Sequence, residues 1–592
     1  MPISSTINFT SRRFLDIITI REVSPPRKIS GLSSLCVSFD FNQYVVDALK
    51  TIPTYSFDKK TKIWEFPINY LGRLLDNLTF LDDIQLTLLD TPENGVISVN
   101  RKYDLEPLTE SEKNSFKLKP FNHQLEAVDF GLAHEKWLLL DSPGTGKTFS
   151  TICLAETLKR RGLIDHCFII CGVNALKQNW KREIEKFSTE SSIILGEYIT
   201  KTGATRYRSV EKRAKQLREP IDEFFIITNI ETLRDDRIIE AFKNSSNNFG
   251  MIAVDEIHKA AGNKSAAQTA NLLKLDAPFK LGMTGTIIVN SPVSAYSSLV
   301  WTGNDKSTLT NFKSQYCNFG GFKNSQIIGY KNLEVLQEEI AACSLRRTLY
   351  DVREDLPKLT IDVEYLEMDD EQHKFYEAIK EGVKEEADKI DLKSGNLLAL
   401  TTRLRQATAC PNVLTTQHID SIKVERALEL IEEITSQGEK VVVLSMFREP
   451  LHQLATKLEK FRFSLNTGDT SDFDLANNVA RFQEDSKEQV FLGTYNRCGV
   501  GLTLNSSMYM ICIDTPYTYA LFEQGIQRVH RVNNTRPAYI KVLVCSDTID
   551  ERVQEIVATK KELGEYLVDG VEFDGQLNNS LSDTLREIIT NL

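Results

Sequence analysis

Short apolar runs recur along two stretches of the chain, each run set off by a longer segment of mixed character. In the first stretch they are "KWLLLDS" (136–142), "CFIICG" (167–172), "FFIIT" (224–228), "MIAVDE" (251–256) and "FKLGMTGT" (279–286). In the second they are "KVVVLS" (440–445), "QVFLGT" (489–494), "YMICID" (509–514) and "IKVLVC" (540–545). Apolar runs this short, without alternation, read as strands buried on both faces. Segments between them, such as "NALKQNWKREIEKF" (174–187), repeat their apolar positions at helical spacing. Buried strands alternating with helices predict parallel sheets with right-handed crossovers, so the fold class is α/β with two parallel-sheet lobes.

This pattern divides the chain. Residues 1–115 differ in character and are expected to form a small α+β domain. The first lobe is expected over 116–291, and a charged, mostly helical stretch containing "DDEQHKFYEAIKEGVKEEADKI" over 292–415. The second lobe is expected over 416–560 and a helical tail over 561–592. A chain of 592 residues is too long for one core, which agrees with several domains. The net charge of −11 argues against a protein that coats nucleic acid generally, so any such contact needs a local positive groove. The ten cysteines are scattered and never form C-x-x-C, which fits a reducing compartment. No apolar run is long enough to cross a bilayer, and "MPISSTINFTSRRFLDI" lacks the apolar core of a signal peptide. The expected location is the cytoplasm of a bacterial or phage-infected cell, or the nucleus in a eukaryote, as a monomer away from membranes.

Chemistry enters at the ends of the predicted strands. "LLLDSPGTGKTFST" puts a glycine-rich turn directly after a strand and before a helix. Backbone N–H groups of Gly144, Thr145 and Gly146 can cradle phosphates at the helix N-terminus. Lys147 would reach the β- and γ-phosphates of ATP, and the Thr148 hydroxyl would hold Mg²⁺. "MIAVDEIHKA" delivers Asp255 and Glu256 at the carboxyl end of another strand. Asp255 can serve the Mg²⁺ shell, while Glu256 orients and deprotonates the attacking water. The small-residue turn "GMTGT" (282–286) taken alone fits any tight turn. Further on, "FEQGIQRVHRVNN" (522–534) carries Arg528 and Arg531, which on a helix would share one face. Taken alone, that face reads as solvated.

The order "DSPGTGKT", "DEIH", "MTGT", "GVGLTL", "QGIQRVHR" resembles superfamily 2 helicases, and within them the Swi/Snf-type double-stranded DNA translocases. "LKPFNHQLEAVDF" resembles that family's adenine-recognising stretch, with His123 and Gln124 in the matching places. "LRQATACP" (404–411) is similar to its segment between the lobes, and "FLGTYNRCGVGLTL" (491–504) to its glycine-rich motif in the second lobe. The resemblance implies two RecA-like lobes facing each other across a cleft, with ATP and Mg²⁺ held by the first. It implies that Gly499, Gly501 and Gln524 face the nucleotide from the second lobe, and that Arg528 and Arg531 are arginine fingers. Such a finger accelerates phosphoryl transfer by about 10³–10⁵, or roughly 4–7 kcal/mol. Candidate DNA contacts by resemblance are Asn174, Thr228, Asn229 and Thr494, each of which also reads as a strand-end cap or turn residue. Gln527 stands where the family has Asp. "DTPYTYA" (514–520) replaces its Asp followed by Trp-Asn-Pro, with Tyr517 able to stack like the Trp.

"YSFDKKTKIWEFPINYLGRLLDNL" (55–78) reads as strand, tight turn at Asp58–Lys60, strand and helix. Preceded by "FDFNQYVVDALKTIP", it resembles the HARP-type module of annealing helicases through Tyr55, Asp58, Trp64 and Phe66. In one reading an exposed Trp64 stacks on an unpaired base; in the other it packs the core of a small αββα domain. The resemblance implies action on double-stranded or branched DNA. Alternatives are displacement of a DNA-bound protein such as stalled RNA polymerase, and a nucleic-acid-binding scaffold with a degenerate motor. The basic segment "TRYRSVEKRAKQLRE" (205–219) reads as a solvated helix able to touch phosphates.

Overall fold

A computed structural model of the chain describes residues 105–571 apart from 173–175, 201–204, 262–265, 306, 321–325, 390–393 and 499–501. Before residue 105 it describes the strands 6–11, 17–23, 34–38, 56–58, 63–67 and 84–89 and a few residues between them.

Two parallel sheets carry the chain from residue 136 onward. The first runs in the spatial order Ser344–Leu345, Lys136–Leu139, Phe279–Met283, Phe249–Asp255, His166–Cys171, Phe225–Asn229, Ser192–Ile194. The second runs Leu359–Leu366, Ala538–Cys545, Tyr509–Cys512, Val441–Ser445, Glu488–Thr494, Arg462–Asn466. Every residue of Phe225–Asn229 and of Val441–Ser445 is buried, as unbroken apolar runs require of strands covered on both faces. The strand period of two sends alternate residues to opposite cores. Phe168 and Ile170 enter one core of the first lobe, and Cys167, Ile169 and Cys171 the other. Val442 and Leu444 divide from Val441 and Val443 in the same way in the second lobe.

The stretch 292–415, expected as a separate helical region, is instead shared between the two sheets. Ser344–Leu345 pairs in parallel with the strand that leads into the glycine-rich loop. Leu359–Leu366 pairs along its whole length with Ala538–Cys545 of the second sheet. Tyr376, Leu397 and Leu404 then pack into the second lobe's core. Nor is 561 the start of a tail. The helix Ile549–Asp569 buries Val553 and Val557 in the second lobe and Leu563 and Leu567 in the first, so it straps one lobe to the other. Gln337 Nε2 donates to Tyr566 O at 3.0 Å, and Arg346 Nε lies 2.6 Å from Asp569 Oδ1. Periodicity marks a helix but not which core receives each of its turns.

The N-terminal region is richer in strands than the expected αββα unit. Six strands form one sheet in the order Ser56–Asp58, Ile63–Pro67, Ser34–Ser38, Ile17–Val23, Thr6–Ser11, Ile84–Leu89, with antiparallel pairings. The turn between its first two strands covers residues 59–62, with Asp58 Oδ1 accepting the Lys60 N–H at 2.8 Å and Lys62 left-handed at φ 54°. Trp64 is a correction to the stacking reading, because its side chain is only 6% exposed. Its ring sits 5.0 Å from Tyr55 and 4.7 Å from Phe57, centroid to centroid. Burying an indole against two rings is worth more than leaving it to solvent, and Phe57 is the ring left exposed. Most of "FDFNQYVVDALKTIP" and of the expected helix after Pro67 lies outside the described residues.

Candidate nucleotide site between the lobes

The strands of the first sheet end together, and their carboxyl ends build the site. After Leu139 the chain turns through Asp141–Gly146 into the helix Lys147–Arg160. Gly144 and Gly146 hold φ of 91° and 93°, which side chains with a Cβ resist. A Cβ on Gly146 would also meet Gln124 Nε2 at 2.4 Å. The loop is therefore glycine-bearing for two reasons, its left-handed backbone and the close approach of Gln124.

His123 and Gln124 brace this loop from within. His123 Nε2 lies 2.8 Å from Thr145 O, and Gln124 Nε2 donates to the same oxygen at 3.5 Å. Gln124 Oε1 accepts the Phe121 N–H at 2.9 Å. Both side chains are buried, while Phe121 is 60% exposed with its ring stacked 5.8 Å from His123. Burial holds the His123 pKa below its usual value, which favours the neutral ring. The Thr145 hydroxyl donates to Ser142 O at 2.9 Å. Thr148 stands in the first turn of the helix.

Lys147 Nζ donates to Asp141 O at 2.7 Å. Burial pushes its pKa down, and Glu256, Asp141 and Asp255 oppose that shift. Asp255 ends the strand Phe249–Asp255, and its Oδ2 accepts the indole N–H of Trp180 at 2.9 Å. Burial, and then the charge of Glu256, push Asp255 up to about 6. Glu256 adopts φ 51°, an uncommon conformation for a residue with a side chain and a mark of a constrained position. Thr284 Oγ1 lies 3.4 Å from Glu256 Oε2 and 2.7 Å from His258 Nδ1, so the "MTGT" turn supports the acidic pair. His258 is pushed down to about 3 by burial and stays neutral.

The second lobe reaches this cluster directly. Gln524 Nε2 donates to Glu256 Oε1 at 3.3 Å, and Thr286 Oγ1 to Glu523 Oε2 at 3.4 Å. The helix bearing Gln524 ends at Ile526, so Arg528 and Arg531 follow it in a turn rather than along a helix face as expected. They still converge, because both guanidinium groups donate to Leu502 O, that of Arg528 from Nη1 at 2.9 Å. A Cβ on Gly144 would lie 3.8 Å from the Arg531 Cα, so the turn rests against the glycine-rich loop. Burial pushes Arg528 down to about 9 and Arg531 to about 10. Neither is the solvated face that the stretch suggests in isolation.

Two arginines in "SLRRTLY" went unnoticed in sequence because they sit where a helical linker was expected. Arg347 grips Asp141 bidentately, at 3.1 and 2.6 Å, and also reaches His123 O and Glu126. Arg346 donates to Leu140 O at 2.7 Å and to Gly285 O at 3.2 Å as well as pairing with Asp569. They tie the loop to the lobe boundary. Behind the loop lies a cavity of about 240 Å³ between the lobes, lined among others by Ser142, Thr286, Arg346, Glu523 and Lys560.

The remaining candidates fall elsewhere. Thr228 and Asn229 end the strand Phe225–Asn229, and Thr494 ends Glu488–Thr494. Asn229 Oδ1 accepts the Thr232 hydroxyl at 2.7 Å, a side-chain bond, and Asn229 makes no side-chain cap bond to the turn that follows it. Asn174, Gly499 and Gly501 lie outside the described residues. The Arg405 guanidinium lies over the Tyr517 ring, 4.5 Å from its centroid. No described helix is long and apolar enough to cross a membrane.

Comparisons with known proteins agree with this layout. Residues 123–413 match the SNF2-related domain, 422–533 the helicase conserved C-terminal domain, and 35–89 the HepA-related protein (HARP) family. An "uncharacterized ATP-dependent helicase" of Mycoplasma pneumoniae is 26% identical over 77% of this chain and 43% of its own length. A Drosophila melanogaster relative is 21% identical over 88% of this chain and 66% of its own. It is named "SWI/SNF-related matrix-associated actin-dependent regulator of chromatin subfamily A-like protein 1". The chain spans about half the length of the first of the curated relatives it matches. A solved structure, the "Sulfolobus solfataricus SWI2/SNF2 ATPase core in complex with dsDNA", aligns over 78% of this chain and 95% of its own at 20% identity, with a TM-score of 0.35. The family matches follow one another along the chain, which carries a HARP match, then an SNF2-related domain, then a helicase conserved C-terminal domain.

Proposed function

We propose that the chain is an ATP-driven translocase on double-stranded DNA that remodels branched DNA. The observation that carries the reading is the meeting of lobes at the glycine-rich loop, where Gln524 touches Glu256 and the Arg528–Arg531 turn rests on Gly144. ATP phosphates would lie on the loop N–H groups and Lys147, and Glu256 would take a proton from the attacking water. Arg528 and Arg531 would exchange Leu502 O for phosphate oxygens. A guanidinium has five N–H donors, and the bonds described for Arg531 use two of its nitrogens.

Thr148 and Asp255 offer hard oxygen donors that suit Mg²⁺, which takes one or two protein carboxylates beside phosphate oxygens. The buried acidic pair beside Lys147 fits an added cation, since burial alone disfavours its charge. Bound there, Mg²⁺ would neutralise charge developing on the transferred phosphoryl group. Because the fingers come from the second lobe, their grip requires a closed cleft. Release of the γ-phosphate then favours reopening, and repeated closure would step the lobes along the duplex.

Branched DNA as substrate is supported by the HARP match over residues 35–89, part of the six-stranded sheet ahead of the motor, through the resemblance of that stretch to the module of annealing helicases. The test compares the full chain with one starting near Lys117 in a fork-regression assay with purified protein. The shortened chain is expected to keep duplex-stimulated ATPase and lose fork regression. Equal fork regression by both would make the module structural or partner-binding. Stronger ATPase stimulation by RNA than by duplex DNA would overturn the substrate class.

A further inference from the structure

The first lobe carries a second basic surface that the ATP site does not use. The hairpin Glu197–Ile199 and Thr205–Tyr207 leads into the helix Val210–Arg218, and together they frame an open groove of about 870 Å³. Tyr198, Tyr207, Arg208, Lys212 and Lys215 line it, with Glu219 the one acidic side chain among the lining residues. Both tyrosines are 41% exposed, large aromatic faces left to solvent beside cations. Arg208 lies 6.0 Å from the Tyr198 ring centroid, and Lys177 covers the Tyr207 ring at 3.9 Å. Arg208 and Lys212 have no ion-pair partner among the described residues, and Lys215 has only an exposed contact with Glu219 at 3.6 Å. On a chain with net charge −11, a cluster this basic is a local exception.

The helix is also hydrogen-bonded to the turn that follows the strand Phe225–Asn229. Arg213, from the same helix, donates to Thr232 Oγ1 at 2.8 Å, and that hydroxyl donates to Asn229 Oδ1 at 2.7 Å.

We infer that this groove binds an unpaired DNA strand, its phosphates on Arg208, Lys212 and Lys215 and its bases against Tyr198 and Tyr207. Duplex DNA offers phosphates alone, because its bases are already stacked. Exposed rings between cations are the arrangement that single strands reward, at about 1–3 kcal/mol per stacked base. The inference rests on the reading of the chain as a DNA translocase, and it gives branched substrates a second contact on the motor itself: an unpaired arm would be held while the cleft grips the duplex.

The test is fluorescence anisotropy with the full chain, using labelled oligo(dT), blunt duplex and forked duplex with one unpaired arm. The double variant Tyr198→Ala/Lys212→Ala changes exposed residues only, and its melting temperature should stay at the wild-type value. Its affinity for oligo(dT) and for the fork should fall at least about fivefold, the lower bound for one lost stack. Its affinity for blunt duplex and its duplex-stimulated ATPase should stay within twofold. In the wild type, 5-bromodeoxyuridine in the unpaired arm should crosslink to Tyr198 or Tyr207. Unchanged oligo(dT) affinity, or crosslinks that map elsewhere, would overturn the inference. An equal loss on blunt duplex would assign the groove to the duplex track and overturn it too. Absence of duplex-stimulated ATPase in the wild type would instead strike the translocase reading, so the two failures are distinguishable.

Discussion

The two lobes share a parallel-sheet architecture and treat buried charge in opposite ways. In the second lobe, Asp514 accepts the Met446 N–H at 2.9 Å and the Ser445 hydroxyl, and Arg405 Nη2 lies 3.5 Å away. Lys423 and Asp550 stand 2.5 Å apart with both side chains buried. Charge there is closed into internal pairs. In the first lobe, Lys147, Asp255 and Glu256 gather at strand ends facing the other lobe, and the Asp255 carboxylate accepts the indole N–H of Trp180 with no cation bonded to it among the described hydrogen bonds. Burying charge costs free energy unless it is paired and hydrogen-bonded. Away from the cleft, where its Arg528, Arg531 and Glu523 lie, the second lobe meets that cost within itself. The first leaves part of it to be met by what enters the cleft, and this difference separates a structural ion cluster from a candidate catalytic one.

The largest way to break the contrast is to remove the first lobe's charges. Lys147→Ala should abolish ATP hydrolysis. Glu256→Gln should keep nucleotide binding, measured by titration with a fluorescent ATP analogue, and stop turnover. Wild-type hydrolysis by Glu256→Gln would mean the water is deprotonated elsewhere. Next come the fingers. Arg528→Ala and Arg531→Ala should each lower DNA-stimulated kcat by at least about a hundredfold, with a smaller change in ATP affinity. Unaltered kcat in both would make their convergence on Leu502 purely structural.

The second lobe should respond in stability. Arg405→Met leaves Asp514 buried without its cation and should cost about 3–5 kcal/mol, read from denaturant midpoints. Nucleotide binding by the folded fraction should persist. The smallest effect sharpens the first lobe. Trp180→Phe keeps the packing but removes the N–H held by Asp255, a bond to a charged group worth about 1.5–3 kcal/mol. The Mg²⁺ concentration for half-maximal nucleotide binding should shift about tenfold or more. No shift would mean that Trp180 only packs.

Much of this was legible in sequence, for identifiable reasons. The strands announced themselves because burial on both faces leaves few polar positions, as in "VVVLS", whose one polar residue stands at its end. The loop and the acidic pair were legible because phosphate cradling needs glycines and a lysine at fixed offsets. What sequence could not give was partnership across distance. Arg346 and Arg347 look like two surface cations until Leu345 is seen pairing beside the loop strand. Trp180 reads as a core residue, which it is, and nothing in its spacing points to Asp255. Trp64 shows the converse: its aromatic pattern fitted both exposure and burial, and only Tyr55 and Phe57 closing over it decided between them.

The central claim is that ATP turnover between these lobes moves the protein along duplex DNA. Displacement of a third strand from a triplex placed far from the loading end measures it most directly. The wild type should strip the third strand only with hydrolysable ATP, after a lag that grows with the duplex track, and Glu256→Gln should not strip it at all. Brisk duplex-stimulated hydrolysis with the triplex left intact would contradict the claim.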